Sequence, residues 1–512
     1  MPRKPGASLL LSAALAGLVV CNPDVARSGD SFIASDPGLR TGAGAGEPVP
    51  NLTPTQIEFF NMGKVSFMEA EAVADGLGPR MNLDNCAGCH SQPATGGTSP
   101  PQNPQIALAK FNLGANASTL PAFVSLDGPV RVVRLIRNPD GQPDGAVHPL
   151  LTIVGRPDAR GCALAQSDLA GEVAKRNVAF RIPTPVYGAG LIEQIPDSAI
   201  RANQEANAAR NKTLGIRGHP NIVSFIDAAS PRPLGGATDG PIARFGWKAH
   251  NRSLLIAAAE AYHDEMGITN ELFPTDINES ATCEFTGPRY QEIKLDGLPP
   301  IDSIRRYLNP LGHRYPLEVE VLRERANAFA ERNPPGDYLA NTDGQATIDS
   351  VSSVEKFASF MRYLAPPKPS ADMPGGAGSI AKGRQVFDEV GCTACHTPTL
   401  RSGNTKVVAL NEQPVNLYSD LLLHDMGPEL ADGVVQGQAT GAEFRTAPLW
   451  GLGQRIYLLH DGRTRDLRVA IGAHRSGSAS KRDASEANTV IDRFQALAEA
   501  DKQDLLNFLR SL

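Results

Sequence analysis

Hydrophobic side chains recur at helical spacing in two places, just before residue 365 and at the end of the chain. The residues that share one helical face are Val354, Phe357, Phe360, Met361 and Leu364 in the first segment and Leu505, Phe508, Leu509 and Leu512 in the second. This spacing predicts a helix with one buried face in each segment. Residues 365–378 are rich in Pro, Gly and Ser and predict neither helix nor central strand. We therefore expect two halves joined by a linker at 366–378.

Short pieces of sequence recur in the two halves in the same order. The matching pairs are 180–190 with 444–453 (with one gap), 252–257 with 465–470, and 360–364 with 508–512. Each match is short, but their common order predicts a duplication, with domains at 36–365 and 379–512.

Each half also opens with a predicted helix that combines a glycine with an aromatic residue four positions later. The pairs are Gly63 with Phe67 and Gly383 with Phe387. A small residue lets the backbone of a second helix approach closely, so we expect the opening and closing helices of each half to cross there.

The first half is longer than the second because it contains two insertions. Residues 130–136 and 150–154 read as strands on either side of a turn at 138–141, which predicts a β-hairpin. The second insertion, residues 272–346, is polar and is expected to consist mainly of loops.

Composition narrows the class of protein. The chain has 41% hydrophobic and 20% charged residues and a net charge of −6, without a basic stripe, so we expect a folded protein with no nucleic-acid partner.

Arg3 and Lys4 precede an apolar run at 9–20, which predicts a signal peptide over 1–26 and a periplasmic or otherwise exported protein. A lipoprotein signal ending at Cys21 is the alternative, and it would be the only membrane attachment.

Two Cys-x-x-Cys-His motifs carry the clearest chemistry. They are formed by Cys86, Cys89 and His90 and by Cys392, Cys395 and His396. The i, i+3, i+4 spacing places two thiols and an imidazole on one side of a helical turn, where the thiols can bond a haem and the imidazole can bind its iron. A zinc half-site or a redox dithiol would use similar residues. Two copies in an exported chain favour two covalently bound c-type haems.

The expected fold is therefore mainly α, with two duplicated cytochrome c-like haem domains, the first enlarged by loop-rich and β-hairpin insertions. Of the remaining cysteines, Cys162 and Cys283 are most simply a disulfide in an oxidising compartment, with two buried free thiols as the alternative.

The repeat also predicts a difference between the halves. A helix that begins at Asp466 is expected to end at His474, nine residues after Arg465, whereas the same count from Arg252 reaches Ala261. The second haem is thus expected to have an additional imidazole nearby where the first has only a methyl group. An iron without a second protein ligand keeps a position for substrate.

These features resemble the di-haem oxidoreductase family, which is related to bacterial di-haem cytochrome c peroxidases, the methylamine dehydrogenase maturation enzyme and haem-dependent rubber oxygenases. The segments that carry the resemblance are 36–38, 76–80, 86–99, 244–249, 264–269 and 423–427. In the peroxidase relatives a Met or Tyr that follows a His-x-Gly motif ligates the second haem. His460 and Gly462 match that motif here, and His474 takes the place of the ligand.

The resemblance implies further roles. Glu265, followed by Met266, matches a Glu-Met pair in which the carboxylate moves protons at the open haem, although Glu265 could equally be a surface residue at a helix end. Trp247 matches a tryptophan that relays electrons between the haems, with Trp450 as the second choice and core packing as the alternative for both. The resemblance also allows for a bound calcium ion.

The other histidines are assigned by position. His263 is a candidate resting ligand of the first haem, and His424 and Met426 are second choices at the second haem. The histidines expected to be at the surface or structural are His148, His219, His250 and His313.

The sequence thus predicts a peroxidase-like oxidoreductase whose first haem reacts with a small oxidant, hydrogen peroxide or dioxygen, and whose second haem takes electrons from an unidentified donor such as a small redox protein. A haem-dependent oxygenase of an organic substrate and a non-catalytic electron-transfer cytochrome are the alternatives.

Overall fold

The computed structural model describes residues 32–41, 44–113, 120–222, 242–270, 273, 281–283, 352–405, 407–477 and 483–512. The predicted signal peptide with Cys21, His313 and most of the predicted second insertion lie outside these residues. Within them, no helix is long and apolar enough to cross a membrane.

The described chain is mainly helical. In chain order the helices are α1 (Pro54–Met68), α2 (Cys86–Cys89), α3 (Gln105–Leu113), α4 (Leu169–Ala174), α5 (Ala189–Glu193), α6 (Asp197–Leu214), α7 (Leu254–Met266), α8 (Ser353–Tyr363), α9 (Gly376–Val390), α10 (Leu467–Gly472), α11 (Asn488–Gln495) and α12 (Glu499–Ser511). Helices α8 and α12 confirm the two predicted amphipathic segments. Side chains cap the starts of several helices, as Ser253 does for α7 and Asp466 for α10.

Strands occur only as short antiparallel pairs in the described residues. They are β1 (Arg80–Met81) with β3 (Leu151–Thr152), β2 (Val132–Leu135) with β4 (Val178–Arg181), β5 (Leu400–Arg401) with β6 (Pro414–Val415), and β7 (Leu423–Asp425) with β8 (Glu443–Arg445). The predicted pairing of 130–136 with 150–154 is wrong. The two segments contain β2 and β3, which pair with β4 and β1, and the chain that turns back after β2 meets it earlier, at the Arg134–Val147 and Arg137–Pro143 bridges. Residue types that favour an extended segment do not specify its partner.

The opening and closing helices of each half cross at a glycine. A Cβ atom on Gly63 of α1 would lie 2.2 Å from the carbonyl oxygen of Lys356 in α8. In the second half, a Cβ atom on Gly383 of α9 would lie 1.9 Å from that of Asp504 in α12. Only glycine permits either approach.

The aromatic residues beside these glycines pack on the same crossings. Phe67 contacts Phe360 with 5.0 Å between ring centroids, and Phe387 contacts Phe508 at 5.5 Å. The crossings predicted from the glycine–aromatic pairs are thus present in both halves. Each lies in its own hydrophobic cluster, one built on α1 and α8 and the other on α9 and α12.

The predicted linker differs from the structure at its end. Helix α9 begins at Gly376, inside the segment expected to contain no helix. The last proline of the segment is Pro374, and Gly375 takes up the left-handed conformation, with φ of 81°, directly before the helix. The glycines after Pro374 therefore start the helix and do not interrupt it.

Candidate functional site

The first Cys-x-x-Cys-His motif forms a compact helical turn. The Asn85 side-chain oxygen accepts a hydrogen bond from the backbone N–H of Gly88 at 2.6 Å and so caps α2, which contains Cys86 and Cys89. His90 follows directly, and its Nδ1 lies 2.9 Å from the carbonyl oxygen of Gly97. With Nδ1 donating to a carbonyl, Nε2 carries the lone pair that can bind a metal.

The second motif repeats this arrangement. Cys392 opens a 3₁₀ turn (Cys392–Ala394), and the Nδ1 of His396 lies 3.0 Å from the carbonyl oxygen of Tyr418. The two motifs thus present the same donor set, two cysteines and one oriented imidazole.

Burial sets the protonation states of these groups. It raises the pKa of all four motif thiols, that of Cys392 to about 12, which disfavours the thiolates that a zinc site or a redox dithiol needs. Burial lowers the pKa of His90, and burial together with the nearby charge of His474 lowers that of His396 to about 4. Both imidazoles are therefore neutral near pH 7, the form that ligates iron.

Each motif lines its own cavity. The first cavity has a volume of about 270 Å³ and is lined by Cys86, Cys89 and His90 together with residues from α7. The second has a volume of about 240 Å³ and contains Cys392, Cys395 and His396 in its walls. Both are lined mainly by apolar side chains, as cofactor sites usually are.

His474 lines the second cavity together with His396. Its Nδ1 lies 2.8 Å from the carbonyl oxygen of Ala470, so its ring is oriented in the same way as those of His90 and His396. The predicted helix ends two residues earlier than expected, at Gly472, because the chain turns there and His474 N–H bonds to the carbonyl of Ile471.

The second-choice ligands of this cavity differ in their availability. Both ring nitrogens of His424 contact carboxylates, Nδ1 that of Glu486 at 2.8 Å and Nε2 that of Asp420 at 2.9 Å. His424 is therefore held as an ion pair and offers no free nitrogen. Met426 and His460 also line the cavity, and His460 stacks on the ring of Phe444.

In the first cavity, Ala261 lies in the wall, and Glu265 lies half-buried in the same wall one helical turn further along α7. Burial raises the pKa of Glu265 to about 7, although the side-chain amide of Asn82 donates to its Oε2 at 2.6 Å. Glu265 is thus not the surface residue of the alternative interpretation.

Two histidines of the first half lie where the sequence did not lead us to expect them. His263 does not line the cavity; its ring stacks on Phe273 and its Nδ1 lies 2.8 Å from Asp264. His250, expected to be superficial or structural, lines the first cavity instead. A local turn carries it, closed by backbone hydrogen bonds between Phe245 and Asn251, and the sequence around His250 did not indicate which surface this turn would face.

Three large side chains line both cavities, Trp247, Arg445 and Arg455. The indole N–H of Trp247 donates to the carbonyl oxygen of Ile182 at 2.8 Å. Trp450, the second choice for a relay, lines the first cavity but not the second.

Neither arginine forms a salt bridge within the described residues, although Arg445 is buried and Arg455 is half-buried. Desolvation lowers the pKa of each to about 10, against which the charge of Asp420 acts at Arg445, so both remain charged. Their guanidinium groups donate to backbone carbonyl oxygens. Buried charges are normally compensated. Two haems would bring carboxylate groups into these cavities, so the arginines, like the Cys-Cys-His sets, fit this cofactor.

The two other cysteines of the described residues form the expected disulfide. Cys162 and Cys283 are joined across a sequence separation of 121 residues. The disulfide attaches the chain after α7 to the loop before α4.

Comparisons with known proteins agree with this donor set at the level of the family. No curated protein matches the chain significantly. A solved structure of Kuenenia stuttgartiensis hydrazine synthase matches 31% of this chain and 55% of its own at 17% identity, with a TM-score of 0.20, which is too low to indicate a shared fold. The family model described as "Di-haem oxidoreductase, putative peroxidase" matches residues 135–285 and 351–512, more than half of the chain. The chain belongs to the di-haem oxidoreductase family.

Proposed function

We propose that this protein is an exported, peroxidase-like di-haem c-type oxidoreductase, in which a small oxidant, hydrogen peroxide or dioxygen, reacts at the first cavity and electrons pass through the second. The observation that carries the proposal is the difference between the cavities. The second contains His474 in addition to His396, whereas the first contains His90 and has Ala261 at the matching position.

The residues of each motif would hold one haem. Cys86 and Cys89 would bond the first and Cys392 and Cys395 the second, with His90 and His396 as iron ligands. His474 would be the second iron ligand in the second cavity. A haem supplies an iron that exchanges single electrons and that binds a small oxidant where one coordination position is free.

Glu265 would handle the proton in the first cavity. Cleavage of a peroxide O–O bond needs a group that takes a proton from one oxygen and returns it to the other. A carboxyl with a pKa of about 7 is suited to both steps near neutral pH, and Asn82 holds it in place.

Trp247 would connect the two sites. It lies on the wall that the cavities share, and its hydrogen bond to the Ile182 carbonyl fixes the indole there. Electrons would arrive from a separate donor, such as a small redox protein.

The two halves would be duplicated cytochrome c-like domains, 36–365 and 379–512, joined at 366–378. The paired helix crossings support this, as does a second set of glycine contacts. Cβ atoms on Gly190 and Gly453 would each lie 2.0 Å from a carbonyl oxygen, those of Arg362 and Arg510. These four residues occupy matching positions of the sequence repeat.

The proposal is tested on protein produced with a c-type haem maturation system. Intact mass should show two haem additions, the reduced protein should bind carbon monoxide at one haem, and the enzyme should react with peroxide or dioxygen. Two six-coordinate haems that bind no carbon monoxide and react with neither oxidant would indicate an electron-transfer cytochrome instead. Turnover of an organic substrate with dioxygen alone would indicate an oxygenase.

A further inference from the structure

A tyrosine beside the first cavity has a hydrogen-bond partner that sets it apart from the other tyrosines. Tyr262 lies in α7 and is 7% exposed, and its hydroxyl group donates a hydrogen bond to the carboxylate of Glu71 at 2.8 Å. Tyr187 and Tyr457 donate to backbone carbonyls, and the buried hydroxyl of Tyr363 has no hydrogen-bond partner in the described residues. Of the tyrosine hydroxyls in the described part of the chain, that of Tyr262 is thus the one whose proton faces a side-chain base.

Packed aromatic rings connect Tyr262 with the first cavity. Its ring contacts Phe357 edge-to-face with 5.1 Å between centroids, and Phe357 contacts Phe67 in the same way at 6.3 Å. The ring of Phe67 lies 6.0 Å from that of His90, the proposed iron ligand. All three distances are those of packed aromatic pairs. Both phenylalanines line the cavity and Tyr262 does not, so one ring separates Tyr262 from the cavity.

The proton of Tyr262 needs an acceptor if the ring is to lose an electron. Burial raises the pKa of the hydroxyl above its ordinary value, and the charge of Glu71 raises it further, so the folded protein contains the phenol and not the phenolate. An oxidised phenol is a much stronger acid than the phenol itself, so the electron leaves readily only when a positioned base takes the proton. The carboxylate of Glu71 is in hydrogen-bond contact with that proton.

Glu71 acts as a base only in its ionised form. Burial raises its pKa to about 7, although the hydrogen bond from Tyr262 opposes the rise. The other titratable groups that face it are three carboxyls and one thiol, those of Glu69, Asp75, Asp84 and Cys86. The three carboxylates raise the pKa further by repulsion. Glu71 is half-buried, whereas Tyr262 is buried, so Glu71 lies on the solvent side of the pair.

We propose that Tyr262 is a redox-active residue that stores one oxidising equivalent from the first cavity, with Glu71 as the acceptor of its proton. The inference rests on the proposed function, because hydrogen peroxide is the oxidant. When no electron donor is present, Tyr262 gives one electron to the peroxide-oxidised site in the first cavity, which is thereby reduced by one electron. The O–H bond breaks and its proton goes to Glu71, which leaves a neutral tyrosyl radical beside a carboxyl group. An electron from the donor later restores the phenol, and Glu71 returns the proton.

The test uses electron paramagnetic resonance of the haem-loaded protein, frozen at intervals after hydrogen peroxide is added without an electron donor. We expect a tyrosyl radical whose hyperfine splitting narrows when the protein contains ring-deuterated tyrosine. Tyr262→Phe should abolish this signal. Tyr187→Phe is the matched control and should retain it, because Tyr187 lines the first cavity but donates to a carbonyl.

Glu71→Gln tests the proton acceptor. The variant should form the radical at least about tenfold more slowly, a bound below the ~10²–10⁴-fold contribution that is typical of a positioned base. Because the step follows the reaction with peroxide, the rate of that earlier reaction should not change. In wild type, radical formation should be faster at pH 8 than at pH 5, since Glu71 is ionised above its pKa of about 7. Glu265 titrates in the same range and affects the earlier reaction, so wild type and Glu71→Gln are compared at each pH.

The outcomes separate this inference from the proposed function. Haems that peroxide oxidises without any tyrosyl radical, or a radical unchanged in Tyr262→Phe, overturn the role of Tyr262 and leave the function standing. A radical that Glu71→Gln forms at the wild-type rate overturns the role of Glu71. If Tyr262→Phe incorporates fewer than two haems, Glu71→Gln decides in its place, and an unchanged signal there overturns the inference. No reaction with peroxide in wild type contradicts the peroxidase-like function and, with it, this inference.

Discussion

The two cavities contain the same donor residues, a cysteine pair and a histidine, and differ in the other side chains of their walls. In both, a pair of cysteines precedes a histidine whose Nδ1 bonds to a backbone carbonyl, which prepares Nε2 for a metal. The second cavity then adds His474, held in the same way, while the first adds Ala261 and the half-buried groups Glu265 and His250. One scaffold thus supports two different environments through a small number of side chains on α7, just before it and after α10.

This difference suggests a division of labour. A site with two imidazoles suits electron exchange, because the ligand set is complete in both oxidation states. A site whose motif histidine has no second histidine at the position that matches His474, and which has a carboxyl group nearby, suits reaction with a small molecule. Trp247, Arg445 and Arg455 line both cavities and therefore form the wall that the two cavities share.

Changing the residues at positions 474 and 261, which distinguish the two cavities, should have the largest effect on the haem sites. We expect His474→Ala to convert the second haem from a low-spin to a high-spin signal in electron paramagnetic resonance. We expect Ala261→His to make the first haem low-spin and to abolish its carbon monoxide binding, because an added imidazole would fill the free position. A low-spin pair of signals that survives His474→Ala would transfer the ligand role to Met426 or His460.

The next largest effect is expected at Glu265. Glu265→Gln keeps the size of the side chain but removes its proton, and general acid–base groups typically contribute ~10²–10⁴-fold in rate. We therefore expect the reaction with peroxide to slow at least about tenfold, a conservative bound below that range, with both haems retained.

Glu71→Gln is the matched control for this change. Burial also raises the pKa of Glu71 to about 7, but Glu71 bonds to Tyr262 and does not line the cavity. Stopped-flow kinetics should show the wild-type rate for Glu71→Gln. An equal rate for Glu265→Gln would remove Glu265 from the reaction while leaving the difference between the cavities intact.

Arg455 tests the wall shared by the cavities. If haem carboxylates neutralise it, Arg455→Met should leave a buried negative charge without a partner and destabilise the haem-loaded protein by about 3–5 kcal/mol. Arg455→Lys should lose less, because the charge remains. Arg465→Met, at an exposed arginine, is the control. Equal denaturant midpoints for Arg455→Met and wild type would contradict a bound carboxylate.

The smallest effect concerns the dependence of stability on pH. The folded-state pKa of Glu265 is about 7, against 4.5 for an unperturbed glutamate, so the folded protein binds more protons than the unfolded chain between these values. The contribution of Glu265 to the free energy of unfolding is complete below about pH 4.5. It decreases by about 3 kcal/mol as the pH rises through 7.

Glu265→Gln should remove this loss. Its stability relative to wild type should therefore increase from pH 5 to pH 8, which denaturant unfolding at both values would measure. The exposed Glu58→Gln should follow wild type at both. A constant difference between Glu265→Gln and wild type would mean that Glu265 is ionised in the folded protein throughout this range.

Local sequence was sufficient where the chemistry depends on neighbours along the chain. The Cys-x-x-Cys-His turns, the amphipathic helices α8 and α12 and the capped starts of α7 and α10 follow from spacing and from residue type. The glycine–aromatic pairs also predicted both helix crossings. A glycine inside a helix weakens it, and its usual structural benefit there is to let the backbone of a second helix approach closely.

Only the tertiary structure decided which distant residues meet. The residue types at 132–135 and 151–152 could not indicate β4 and β1 as the partners of these strands. The sequence made His263 a candidate for the first cavity and His250 a surface or structural residue, whereas the structure places His250 in the cavity wall. His250 reaches the cavity because Gly246 leaves space for its ring and Glu260 holds it from a different element. The sequence thus determined the metal-binding turns, whose parts are adjacent in the chain, while long-range packing selected the residues that surround them.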